Sequence, residues 1–295
     1  MTTTLEVLAP GALTTIQDLG RPGWGHIGVP RSGAADRPAL IEANRLVGNP
    51  DGAAALETTL VGPRLRFGGH SVIALTGAAT AARLGERPVP MGAAVAVAAG
   101  EELRLGTARA GLRTYLALAG GIAVGLTLGS AATDLLTGLG PPPLRRGDVL
   151  RLGPRAGAPA PRTARRARST ADPAGAEDEA VLRVLLGPRD DWFTAAALTR
   201  LLTEPFAVGP SSNRVGLRLR GPALERRRRA ELRSEGLVPG AIQVPPDGQP
   251  ILLLADHPTT GGYPVIAVVL RADLALAAQR RPDQALRFAL ATPGG

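Results

Sequence analysis

The sequence predicts a mainly β chain with a few short helices. Glycine (38) and proline (27) are both abundant among its 295 residues, which favours turns and short strands over long helices. Short apolar runs bounded by turn residues recur along the chain, whereas stretches with helical periodicity are few. The hydrophobic fraction of 44% supplies a core, but aromatics are only 3%, so Ala, Val, Leu and Ile must build it.

In chain order, strands are expected at Leu5–Leu8, Val72–Leu75, Ala79–Leu84, Val95–Ala98, Leu103–Leu105, Tyr115–Ala119 and Val149–Leu152. Beyond these lie Val181–Leu186, Val215–Leu219, Ile251–Leu254 and Val265–Leu270. One helix should run from Asp36 to Val47: Asp36 caps it, Pro38 sits in its first turn, Leu40, Ala43 and Val47 share a face, and Gly48 ends it. A second should start at Asp190 or Asp191 and run to Leu202, and a third should occupy Asp273–Gln279, stopped by Pro282. Between Arg113 and Asp134 the chain is uncharged over about the ~20 residues that cross a bilayer. Gly120, Gly121, Gly125 and Gly129 interrupt it, so two short buried strands around a Gly-Gly turn are expected, and no membrane span. Residues 156–178 are rich in Arg, Ala and Pro and lack periodicity, which reads as a linker between lobes at 1–155 and 179–295. Gly100-Glu-Glu-Leu-Arg-Leu, Gly147-Asp-Val-Leu-Arg-Leu and Asp283-Gln-Ala-Leu-Arg-Phe each set a turn before an alternating strand, as two related β lobes would.

Composition excludes several chemistries. There is no cysteine, hence no disulfide, thiolate nucleophile, thiolate zinc site or iron–sulfur cluster. The chain also has no lysine, so all 34 basic residues are arginine; Schiff bases, lysine general bases and covalently attached biotin are ruled out on this chain. The net charge of +9 comes with arginine runs at Arg162–Arg168 and Arg226–Arg229, but no aromatic platform is interleaved for base stacking. A solvated basic surface fits better than nucleic acid binding. The start, Met1-Thr-Thr-Thr-Leu-Glu-Val, has neither a basic region nor an apolar core, so no signal peptide is expected and the cytoplasm is the expected compartment.

Gly23-Trp-Gly-His-Ile-Gly28 matches a dinucleotide fingerprint as a string, but Pro22 and Pro30 flank it and no helix opens on its last glycine. His26, His70 and His257 are too scattered to predict a metal site. Two loops carry dense polar chemistry. The first runs from Thr14 through Arg21 to Asp36; Ser32 precedes a helix N-terminus there, a position that suits an anion. The second comprises Ser234–Gln249 together with Ala255–Pro264. In it Asp256, Thr259, Thr260 and Tyr263 surround Gly261-Gly262 at a strand end, where a carboxylate, hydroxyls and exposed backbone amides can orient a polar amide and stabilise developing negative charge.

These loops also carry a resemblance. Leu5-Glu-Val-Leu-Ala-Pro-Gly, Thr14-Thr-Ile-Gln-Asp-Leu-Gly-Arg, Gly28-Val-Pro-Arg-Ser-Gly-Ala-Ala-Asp, Ala43-Asn-Arg-Leu-Val-Gly-Asn-Pro, Ser234-Glu-Gly-Leu-Val-Pro-Gly-Ala-Ile-Gln-Val-Pro-Pro-Asp-Gly-Gln-Pro and Thr259-Thr-Gly-Gly-Tyr-Pro together resemble the KipA family. That family includes the KipA-type subunit of 5-oxoprolinase, and is also called allophanate hydrolase subunit 2 or the biotin-dependent carboxyltransferase domain. The resemblance implies two cyclophilin-like β-barrel lobes. It further implies a KipI-like partner and a third subunit, with which ATP drives the opening of 5-oxo-L-proline to L-glutamate. ATP would be bound by or shared with the partner. On this reading Asp256, Tyr263 and Thr260 are the catalytic set, while Thr259, Gly261, Gly262, Gln243, Glu235, Arg214 and Ser32 bind substrate; no metal is implied. The resemblance leaves two alternatives: transfer of a carboxyl group to urea or a similar amide from biotin on a separate protein, or non-catalytic antagonism of a kinase inhibitor. Family members commonly carry Arg-Gln and a final Lys where this chain has His257, Pro258 and Val265, and a Met at Ala35. Loss of that lysine weakens the carboxyltransferase alternative.

Overall fold

The computed structural model describes residues 3–154, 179–228 and 230–292, and the chain divides into two compact units. The first comprises Met1–Arg21 and Ser32–Ala176; the second comprises Pro22–Arg31 and Glu177–Gly295. The expected linker, 156–178, and the Arg162–Arg168 run lie outside the described residues. The chain is mainly β, with two barrel-like sheets and three short α-helices among the described residues.

The first unit is built on a 10-stranded sheet whose pairings are antiparallel. Its backbone is a pair of long strands, Ser71–Leu84 and Glu102–Leu118. The sequence leads one to expect each as two shorter strands, Val72–Leu75 with Ala79–Leu84 and Leu103–Leu105 with Tyr115–Ala119, and the glycines Gly77, Gly106 and Gly111 lie between them. The pairing instead continues through them with register shifts between Gly77 and Ala82, so these glycines serve bulges in continuous strands. The Gly-Gly turn is found as expected: Gly120 and Gly121 both have positive φ and join Glu102–Leu118 to the short strand Ile122–Ala123. Strands at Leu13–Gln17 and Ala55–Thr59 escape sequence reading. Both bury polar residues (Gln17, Glu57 and Thr58 are at most 2% exposed), so no apolar alternation marks them. Leu5, Phe67, Leu75, Leu103 and Leu116, all 0% exposed, fill the interior.

Helix α1, Arg37–Leu46, packs Leu40 and Ala43 into a smaller cluster with Tyr115 and Ala117. Asp36 caps it as expected, its Oδ1 accepting from the Ala39 amide at 3.0 Å.

The second unit is a closed barrel of strands in the order Ala180–Leu186, Val265–Val269, Ala241–Gln243, Ile251–Leu253, Gly216–Arg220, Phe206–Val208 and Ala285–Leu290. The last closes on the first in parallel register. Leu182, Val184, Ile242, Leu252, Ile266 and Phe288 fill it, each at most 1% exposed. Helix α2, Ala195–Thr203, is capped by Thr194 and buries Ala197 and Leu201 against this core. It starts later than expected because Asp190 and Asp191 form a separate 3₁₀ turn, Asp190–Trp192. Helix α3, Leu274–Ala278, matches the expected third helix. Among the described residues, no helix is long and apolar enough to cross a membrane.

Candidate functional site

The barrel of the second unit brings the two halves of the polar motif together. Glu235–Gly236 and Thr260–Gly261 form a two-stranded antiparallel ribbon, with Glu235 opposite Gly261 and Gly236 opposite Thr260. The Leu237 amide donates to the Thr259 carbonyl (2.9 Å), and the Val244 amide donates to the Pro264 carbonyl (3.1 Å). Gln243, 5% exposed, donates its Nε2 to the Tyr263 carbonyl at 3.1 Å. Gly261 is required by space: a Cβ there would lie 2.7 Å from Gln243 Nε2 and 2.8 Å from Leu237 Cδ1. The surface of the ribbon is polar, with Thr260, Gly262 and Tyr263 exposed.

Asp256 lies at the start of this loop and is fully buried. Its two oxygens accept from Arg214 Nε and Nη2, both at 2.9 Å, and its amide donates to the Arg214 carbonyl at 3.0 Å. Arg214 is 1% exposed, so the pair forms a buried, bidentate clamp between the loop and the segment before Gly216–Arg220. The next residue, His257, is also buried, with Nδ1 2.7 Å from the Pro258 carbonyl. A carbonyl can only accept, so Nδ1 carries a proton. Val265, at the position of the expected lysine, is 6% exposed and packs with Leu237, Ala241 and Leu253.

Glu235 is gripped by Arg189, which donates Nε to Oε2 at 3.1 Å and Nη2 to Oε1. These hydrogen bonds, reinforced by the arginine's charge, hold the Glu235 carboxyl below its usual value. Sequence reading misses Arg189, because its pairing spans 46 positions. Arg226 stands out in sequence only as part of a basic run. It follows buried Leu224 by two residues, forms an isolated β-bridge with Phe193 and donates Nη2 to the Val244 carbonyl. The i, i+2 parity with Leu224 is the available signal.

The segment Pro22–Arg31 belongs to this second unit, although its sequence precedes most of the first. Thr259 Oγ1 lies 3.5 Å from the Gly28 carbonyl. Ser32 begins the other unit's share of the chain and is described there: it is 4% exposed, has φ of 52°, and donates Oγ to the Thr133 carbonyl at 3.1 Å. The nearby helix N-terminus is already answered by acids. Asp36 caps it, the Asp36 amide donates to Tyr115 Oη (2.7 Å), and that hydroxyl donates to Glu57 Oε2 (2.7 Å). Burial first, then the charges of Glu57 and Asp36, push the Tyr115 phenol well above its usual value. This environment does not favour an anion at the start of α1.

The model of the carboxyltransferase domain, subdomain A and B, matches residues 27–290. The chain is 39% identical to a 5-oxoprolinase subunit of Escherichia coli K12, over 96% of this chain and 90% of that one. It is 34% identical to a urea amidolyase of Lachancea kluyveri, covering 96% of this chain but 17% of that protein. The crystal structure of the Kluyveromyces lactis urea amidolyase superimposes with a TM-score of 0.91 at 32% identity, over 98% of this chain and 19% of that one. The chain spans about half or less of the solved chains named among its matches.

Proposed function

The chain belongs to the carboxyltransferase domain A and B family, and from that premise we propose that it is the KipA-type subunit of a cytoplasmic, ATP-dependent 5-oxoprolinase. With a KipI-like partner and a third subunit it would open 5-oxo-L-proline to L-glutamate. The observation that carries this reading is the match to a 5-oxoprolinase subunit over nine tenths of both chains. By contrast, the urea amidolyase relatives contain it as a small fraction.

A lactam is resonance-stabilised and resists water; activation of its oxygen by ATP makes the carbonyl carbon a better electrophile. Arg189 and Arg214 are paired with Glu235 and Asp256, so neither is offered to a triphosphate, and on this reading ATP is bound by or shared with the partner. In this chain the exposed hydroxyls of Thr260 and Tyr263, with Thr259 beside them, orient the amide, and the Gly262 amide stabilises charge on the oxygen, the Gly261 amide being taken up by the pairing with Glu235. Gln243 fixes the Tyr263 backbone, and Arg189 fixes Glu235 opposite Gly261. Asp256, a catalytic candidate from sequence, is best suited to positioning: clamped to Arg214 and fully buried, it anchors the loop.

The carboxyltransferase alternative draws on the family model and the urea amidolyase superposition. It needs biotin carried by another protein, since this chain has no lysine. ATP-dependent glutamate release from 5-oxo-L-proline, measured on the co-expressed complex, separates the readings. The proposal expects release that vanishes when this chain is omitted. A stable complex that releases no glutamate contradicts it, and carboxylation of urea, or no turnover of any amide, would then identify the carboxyltransferase or the antagonist.

A further inference from the structure

The proposed machinery leaves Arg226, which is hydrogen-bonded into the second unit's polar loops, without a role. Its guanidinium is linked to the end of the Thr259–Pro264 loop through Val244: Nη2 donates to the Val244 carbonyl, while the Val244 amide donates to the Pro264 carbonyl and the adjacent Gln243 holds the Tyr263 carbonyl. Its Nε is buried and has no acceptor, and among the described residues Arg226 forms no ion pair. The carboxylate that acts on it is Asp247, and it does so through space; Asp247 Oδ1 accepts from the Gln249 amide instead, at 3.0 Å. Burial lowers the pKa of Arg226, the mark of a cation whose water has not been replaced by a counterion.

A half-buried guanidinium that interacts electrostatically with the exposed Tyr263 is a cost in the free protein and an asset once an anion arrives. With Nε buried and Nη2 on the Val244 carbonyl, its Nη1 remains to donate a charge-assisted hydrogen bond, which a carboxylate accepts more strongly than a neutral amide does. We infer that Arg226 reads the carboxylate of the substrate, so that this site selects a lactam bearing an acid group over a neutral amide such as urea. This rests on the oxoprolinase reading. Here 5-oxo-L-proline offers its ring amide to the Thr260–Tyr263 loop and its carboxylate to Arg226.

The test uses the co-expressed complex with Arg226→Ala, Arg226→Lys and, as a control in the same basic run, Arg227→Ala at an exposed position. Loss of a charge-assisted hydrogen bond predicts a KM for 5-oxo-L-proline raised roughly tenfold or more by Arg226→Ala, with kcat changed little. Arg226→Lys should recover part of the loss, and Arg227→Ala should leave KM unchanged. Inhibition by 2-pyrrolidone, the same ring without the carboxylate, should be equal in wild type and Arg226→Ala. A fall in kcat at unchanged KM, equal weakening of both compounds, or no effect would overturn the inference, the first two marking a structural brace of Val244. If the wild-type complex turns over no lactam, the oxoprolinase reading fails by itself. Calorimetric binding of 5-oxo-L-proline then decides Arg226: binding weakened by Arg226→Ala sustains it, and no binding to wild type overturns it.

Discussion

Arg214 and Asp256 show how a single pair can hold a loop. Both are essentially fully buried, and each satisfies the other through two 2.9 Å hydrogen bonds. Removing one partner leaves an uncompensated charge, which costs about 3–5 kcal/mol, whereas replacing both by apolar groups costs far less. Urea unfolding should therefore show Asp256→Leu and Arg214→Met each strongly destabilised and the Arg214→Met/Asp256→Leu double variant less so than the sum. Additive losses would mean that the pair is not coupled. Both residues are legible in sequence as members of the polar motif. Their pairing is not, because 42 positions separate them and nothing local records which strand ends meet. Asp273 gives a prediction in pH. Arg183 donates Nε and Nη2 to its carboxylate, at 3.0 and 2.8 Å, and holds it below its usual value of 3.8. The stability this confers is present above pH 3.8 and is lost as pH falls through the lower folded value. Asp273→Asn should lower the urea midpoint at pH 7, with the gap to wild type narrowing below that value; a gap independent of pH would contradict this.

Among the elements, the ribbon joining Glu235–Gly236 to Thr260–Gly261 is too short for sequence reading to find, although its residues stand out as a cluster. Two of its glycines make a matched experiment. Gly261→Ala must push a methyl against Gln243 and Leu237, a clash of the kind that costs about 1–3 kcal/mol, and it should displace the loop and depress turnover. Gly236→Ala meets nothing within 4 Å and should leave both thermal midpoint and turnover near wild type. Equal effects at the two positions would refute the idea that Gly261 is selected by close approach to Gln243. A similar contrast separates the elements that sequence reveals from those it hides. Helix α1 announces itself by cap, apolar face and terminating glycine, whereas Leu13–Gln17 and Ala55–Thr59 bury the polar side chains on which sequence reading relies to mark the outside.

At the scale of the molecule, the mainly β character follows from composition, because a chain this rich in Gly and Pro cannot sustain long helices. Barrel closure is not readable from the residues themselves: the parallel pairing of Ala180–Leu186 with Ala285–Leu290 sets Ala180 against Leu286, far apart in the chain. Nor is the assignment of Pro22–Arg31 to the second unit, since only tertiary contacts bring Gly28 to Thr259. The barrel core has few aromatics, so each one matters; Phe288→Ala should cost about 3–5 kcal/mol in urea unfolding of the second unit. The exposed end of the Thr259–Pro264 loop is assigned the lactam chemistry, and one rate decides that assignment. It is ATP-dependent glutamate release by the assembled complex carrying Thr260→Val and Tyr263→Phe together, with assembly checked by size-exclusion chromatography. The expected result is an intact complex whose turnover falls by roughly a hundredfold or more, as when charge-stabilising donors are removed; turnover within twofold of wild type in an intact complex would contradict it.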